Sequence, residues 1–273
     1  MNIIKKIQRI PYYRRLFSGV RSLVRQSSQQ EEFLLWYARH GSWIPKFRNR
    51  YAGEDCFLLA NGPSLNDVDF ERINKYHLIG LNKIFFLFDR AKLNLTFHVA
   101  INSLVIQQSW REFEQLGCPS FLSYRESRSW PISSDNIHFF LTERQCEPRF
   151  SHVYDEPVWE GWTVTYAALQ LAYYMGFQNV FIVGMDHNFK TIGKPNEEQE
   201  MTGQDPNHFD PRYFANAQWH LPDLEASEMG YRLAHFAFDR SGRGLFDATE
   251  KGKCKIFKRL TLEEAFSIAK KRA

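Results

Sequence analysis

No two of the chain's four cysteines, Cys56, Cys118, Cys146 and Cys254, form a CxxC pair. That argues against a structural zinc site, and isolated thiols fit a reducing cytoplasm. No apolar run reaches the roughly 18 residues that would mark a membrane span. The amino terminus is basic but lacks the apolar stretch of a secretory signal, so a cytoplasmic location is expected. The pattern GxxxxGK[S/T] is missing, which excludes a P-loop kinase. GxGxxG follows no predicted strand, and neither HExxH nor GxSxG occurs. The usual dinucleotide, zinc-peptidase and serine-hydrolase signatures are thereby set aside. Acid is missing from the first 25 residues, which carry Lys5, Lys6, Arg9, Arg14, Arg15, Arg21 and Arg25.

What remains is a chain of 273 residues, 44% apolar and 16% aromatic, with a net charge of +4. That is enough for one large α/β domain with an appendage. Two domains are expected: a basic helical extension over 1–50 and an α/β nucleotide-binding catalytic domain over 51–273. In the extension, Ile3, Ile4, Ile7 and Ile10 recur at helical spacing and Pro11 ends the run. Residues 1–25 read either as a surface helix drawn to an anionic inner membrane face or as a solvated helix face. No nucleic-acid motif accompanies the charge, so nucleic acid is not an expected partner.

From Cys56 the rhythm is strand and helix in turn. Strands are predicted at Cys56–Ala60, His77–Leu81, Leu95–Ile101, Ser120–Ser123, Ile137–Leu141, Val180–Val183 and Leu245–Ala248. Helices are predicted over Asp67–Ile73, Leu104–Leu116, Leu224–Arg240 and Leu262–Lys271, with another capped by Thr163 or Thr165 and ended by Gly176. Alternation of this kind makes an α/β fold with a mostly parallel sheet. Such sheets bind ligands at the carboxyl ends of their strands. Asn61-Gly62-Pro63-Ser64 ends the first strand there, Asn82 the second, and Asn102-Ser103 the third. The Asn61–Ser64 turn would present backbone amides and a helix start to a phosphate. Asp186-His187 ends a later strand. Residues 189–225 are polar, irregular and rich in His and aromatics, which suggests a lid that orders over a ligand. His187, His208 and His220 are candidate general bases. Asp67-Val68-Asp69 matches a DxD metal pattern but also suits the first turn of a helix.

NGPSL, LNKIFFLF (81–88), GWTVTYAALQLAYYMGFQNVFIVGMDHNF (161–189), PNHFDPRYF (206–214) and FDATEKGKCKIFKRL (246–260) occur in that order. This set resembles the MptE-like family, named for a 6-hydroxymethylpterin diphosphokinase and including the motility accessory factor domain. The resemblance spans about 54–260. The turn and the strand-end asparagines also look like sialyltransferases of glycosyltransferase family 42. These resemblances imply a Rossmann-like, GT-A-like fold with a long lid. They imply transfer of a sialic-acid-like sugar from a CMP donor to a surface glycan or protein, with no essential metal or cofactor. Asn61, Gly62, Pro63, Ser64, Asn82, Asn102, Ser103, Gly161, Thr163 and Thr165 would then surround the nucleotide. A lid histidine would be the base, His220 in preference to His208 because it follows a comparable aromatic-rich lid segment, with Asp186 and His187 close by. The runner-up is a diphosphokinase using ATP and Mg²⁺, for which Asp67, Asp69 and Asp186 would hold the metal. A third reading is a non-catalytic glycan-binding protein.

Overall fold

A computed structural model describes residues 29–144, 147–154 and 156–272. The expected helix of residues 3–10 and the basic stretch 1–25 lie outside them. Chain contacts separate two units, Met1–Ser42 and Trp43–Ala273. In the first, residues 29–40 form a helix. The division falls at Ser42 rather than at residue 50, because 43–53 is woven into the larger unit. Trp43 is buried against Phe121 and Tyr154, and its Nε1 donates to the Phe139 carbonyl. Asn49 and Tyr51 donate backbone N–H groups to Tyr174 and Met175. No helix among the described residues is long and apolar enough to cross a membrane.

The larger unit is built on strands β1 (Asp55–Leu59), β2 (His77–Leu81), β3 (Phe97–Ala100), β4 (Ser120–Ser123) and β5 (Ile137–Phe140). Two-residue strands β6 (Thr142–Glu143) and β7 (Val158–Trp159) pair with each other, followed by β8 (Asn179–Val183). A small antiparallel pair, β9 (Glu198–Glu200) and β10 (Gln218–His220), precedes β11 (Gly244–Asp247) and β12 (Lys258–Arg259). Eight strands form one sheet in the order β12-β11-β8-β1-β2-β3-β4-β5, with every neighbouring pair parallel. Helices α1 (Ser103–Glu114), α2 (Val164–Tyr174), α3 (Leu224–Arg240) and α4 (Leu262–Ile268) complete the regular elements used below. This is the expected α/β, Rossmann-like class.

Burial on both faces explains why the central strands read as unbroken apolar runs. All of β1 is buried. Phe57, Phe181 and Phe246 sit in register on β1, β8 and β11, with ring centroids 5.2 Å apart at each step. The chain runs from β1 outward to β5, then returns to the other side of β1 as β8, β11 and β12. The direction of winding therefore reverses between β1 and β8. In open α/β sheets such a switch point opens a crevice beyond the strand ends.

The predicted helix over Asp67–Ile73 is not continuous. A 3₁₀ turn spans Pro63–Asp67 and one helical turn spans Phe70–Ile73. Asp69 separates them, because its carboxylate accepts the amides of Glu71 and Arg72 as an N-cap.

Candidate functional site

A cleft of about 300 Å³ lies at the β1/β8 reversal. Asn61 and Gly62 enter it from β1, Asn82 from β2, and Asp186 and His187 from β8. Asn102, Thr163 and Thr165 line it from the starts of α1 and α2, and His208 and His220 from the cover. Pro63, Ser64, Ser103 and Gly161 are outside the lining. At Gly161, φ is +58° and an added Cβ would lie 2.3 Å from the Tyr166 ring. That glycine serves the turn into α2.

The Asn61–Ser64 turn does not present free amides as expected. Gly62 N–H donates to the Gly184 carbonyl at 2.8 Å. The Ser64 N–H and Oγ–H donate to the Asp186 carboxylate at 3.2 and 2.6 Å. A carboxylate already takes the place foreseen for a phosphate, and the turn is a seam joining β1 to β8.

Two lone polar atoms lie beside it. Asn61 Oδ1 and Asn82 Oδ1 are buried and have no hydrogen-bond donor among the described residues. Buried acceptors of this kind are rare unless a ligand or water supplies the donor. Asn82 holds its corner at φ +46°, where asparagine is among the few tolerated residues. Its carbonyl accepts from Nε2 of the fully buried His98 at 2.7 Å. Burial lowers the His98 pKa to about 4, keeping the ring neutral.

The histidines differ in what orients them. His208 Nδ1 lies 2.7 Å from Oδ2 of buried Asp205, and its ring stacks on Tyr213 at 4.0 Å. The carboxylate accepts a hydrogen bond from Nδ1–H, so in the neutral ring the lone pair is on Nε2. His187 is held at Nε2 by Glu228 at 3.2 Å, but that carboxylate is more exposed and also meets Arg232. His220 faces an amide instead, the Nδ2 of Asn102 at 3.1 Å. Burial first, then the charge of Arg144, lower its pKa.

Within segment 189–225, residues 190–204 are mostly exposed, while the stretch from Asp205 to Leu221 packs down as a cover. Phe209, Tyr213, Phe214 and Trp219 are buried in the core. Phe209 N–H donates to the Asn61 carbonyl, and Lys83 Nζ to the Tyr213 carbonyl.

The carboxylates Asp67, Asp69 and Asp186 do not assemble. Asp67 pairs with Lys251, Asp69 caps a helix and Asp186 binds Ser64. No group of three potential metal ligands forms among the described residues. The residues foreseen for Mg²⁺ in a diphosphokinase therefore do not fit one ion.

Comparison with solved structures finds a related fold. The chain superposes on a MAf glycosyltransferase from Magnetospirillum magneticum AMB-1 with a TM-score of 0.51 and 12% identity. The match covers 83% of this chain and 36% of that one, so this chain spans about a third of its length. No family model matches, and no curated protein matches in sequence. The likeness is one of fold, a Rossmann-like parallel sheet flanked by helices. At that coarse level it agrees with the resemblance to motility accessory factors.

Arg144, Glu160, Trp162 and Asp205 were not foreseen as site residues. Arg144 is the one permanent cation lining the cleft among the described residues. It comes directly after β6 and shortly beyond the end of β5, the only signal in sequence that could have suggested it. Trp162 lines the cleft at φ +61° and is 41% exposed. A bulky residue in that region is an outlier that the surroundings must hold. The Asp205-Pro-Asn-His208 spacing was visible but carries no recognised motif.

Proposed function

We propose that the chain is a glycosyltransferase that binds a nucleotide-activated sugar at the β1/β8 reversal. The observation that carries this reading is the His208–Asp205 pair in that cleft. Its free Nε2 suits removal of a proton from an acceptor hydroxyl as the anomeric carbon is attacked. The unpaired oxygens of Asn61 and Asn82 suit ligand donors, such as the exocyclic amine of cytosine or ribose hydroxyls. The fold shared with a MAf glycosyltransferase supports the reaction class.

More finely, the donor would be a CMP-activated sialic-acid-like sugar and the acceptor a surface glycan or protein. No metal would be essential. Residues 1–25 would hold the enzyme at the anionic inner face of the membrane where such acceptors are assembled. His208 is preferred to His220 as base because the hydrogen bond to Asp205 leaves a ring nitrogen free to accept.

The test is a donor screen on the full chain, following nucleotide release with and without a chelator. CMP release from a CMP-sugar, retained with chelator, is the expected result. Release of AMP from ATP, abolished by chelator, would instead favour the diphosphokinase. Silence with every CMP-, UDP- and GDP-sugar and acceptor mixture would overturn the transferase reading.

A further inference from the structure

Asn102 determines which nitrogen of His220 carries the proton. Its Oδ1 accepts the backbone N–H groups of Leu104 and Val105, at 3.0 and 3.3 Å, as the N-cap of α1. Backbone amides only donate, so the side-chain amide cannot be turned round. Its NH₂ must face His220 Nδ1, which accepts at 3.1 Å. Neutral His220 therefore carries its proton on Nε2. The nearest carboxylate oxygen there, Glu198 Oε2, is 4.0 Å away, beyond hydrogen-bond length. The Nε2–H is a donor with no acceptor among the described residues.

Arg144 supplies a second donor group. Its Nε donates to Glu160 Oε2 at 2.6 Å, and Nη2 lies 3.5 Å from Glu126 Oε1. The other Glu160 oxygen accepts from Thr142 Oγ1 at 2.6 Å. Glu160 is buried and its acceptors are committed inward, so it orients the guanidinium. Nη1 makes no hydrogen bond to any described residue. Arg144 and His220 line the same cleft, and the Arg144 charge is felt at His220. The other carboxylate in the lining, Asp186, is turned onto Ser64.

We propose that Arg144 Nη1 and His220 Nε2–H form an anion subsite of the cleft that binds an oxyanion of the substrate. This rests on the nucleotide-sugar reading for the identity of that oxyanion, which is the sugar carboxylate or the nucleotide phosphate. A guanidinium fork held at one edge and open at the other matches the two oxygens of either group. In this arrangement His220 binds and His208 moves the proton.

The test uses the full chain and reads histidine side-chain nitrogen resonances during titration with inorganic phosphate and with acetate. Wild type should show His220 as the Nε2–H tautomer, and at least one anion should shift its signal. Arg144→Gln should abolish that shift. Because Arg144→Gln strands the Glu160 carboxylate, Arg144→Lys is the companion variant. It keeps a counter-ion for Glu160 but loses the open fork, and should also lose the shift.

Calorimetry with cytidine, CMP and CMP-N-acetylneuraminate then separates the sources. If phosphate is bound, Arg144→Lys weakens CMP by about tenfold or more and leaves cytidine unchanged. If the carboxylate is bound, CMP is unchanged and the CMP-sugar is weakened. An Nδ1–H tautomer, no shift with either anion, or a shift that survives both substitutions would overturn the subsite. Should wild type bind none of the nucleotides while the anion shift holds, the donor reading fails and the subsite stands.

Discussion

Asp205 and His208 are joined by a 2.7 Å contact between Oδ2 and Nδ1, in which the carboxylate is fully buried and the imidazole edge reaches the cleft. Asp205 is held in turn by the Asn207 amide at 2.8 Å on its other oxygen. If this pair is the base, His208→Gln should lower kcat by about 10²–10⁴ and leave nucleotide affinity unchanged. Asp205→Asn should be nearly as harmful, because an amide can donate to Nδ1 and so move the proton onto Nε2. His220→Gln should act differently, raising KM for the donor more than it lowers kcat. Steady-state kinetics of the three variants, with calorimetry for the nucleotide, decide the matter. A His208→Gln enzyme with normal kcat would remove His208 from the mechanism.

His98 ties the stability of the Asn82 corner to pH. Its Nε2–H donates to the Asn82 carbonyl and its Nδ1 accepts from Ser120 Oγ, so the neutral ring is fully satisfied. The folded pKa is depressed to about 4 against an ordinary value of 6.5. Between those values the unfolded chain binds the proton and the folded chain does not. The stability contributed is present above pH 6.5 and is lost as pH falls through 4. The full span corresponds to about 3 kcal/mol. Urea unfolding of wild type between pH 7 and 4 should show this loss above the background from carboxylates. His98→Gln should be less stable at pH 7 but flatter across that window. Parallel slopes would refute the assignment.

The strands were legible because their signals are local. His77–Leu81, Ser120–Ser123 and Leu224–Arg240 follow from apolar pattern and flanking turn residues, and the structure has those bounds. The strand-end positions of Asn61, Asn82, Asn102 and Asp186 followed in turn. What each side chain does there was not legible. Asp186 reaches Ser64 across 122 positions of sequence, and Trp43 reaches Phe139 across 96. Neither contact has a local signature. The same holds for His208 and His220, alike as letters and opposite in tautomer because a carboxylate holds one and an amide the other. Strands β6 and β7, two residues each, are too short to show a period.

Trp162 stores backbone strain at the mouth of the cleft. At φ +61° a glycine is relaxed and any Cβ-bearing residue is strained. Trp162→Gly and Trp162→Ala lose the same indole, so they differ chiefly in that strain. The glycine variant should be the more stable by about 1 kcal/mol, the reverse of the order at an ordinary position. Both should bind sugar donor or acceptor less tightly than wild type, since each loses the exposed ring face. Equal denaturation midpoints for the two variants would argue that the left-handed turn relaxes when the indole is removed.

Gly62 is needed for the seam between β1 and β8. Its backbone is ordinary, with φ −73°, so conformational freedom is not the reason. The reason is space. An added Cβ would lie 2.0 Å from Asp186 Oδ2 and 2.7 Å from the Gly184 carbonyl oxygen. Gly62→Ala should therefore displace Asp186 from Ser64 and cost about 1–3 kcal/mol of stability, as overpacking does. The cost should be partly shared with that of Asp186→Ala, which removes the nearer obstacle and already gives up the Ser64 hydrogen bonds. The double variant should be more stable than the sum of the single effects predicts, by about 0.5 kcal/mol or more. Additivity would mean that the Gly184 carbonyl alone resists the Cβ, and that Asp186 yields without leaving Ser64.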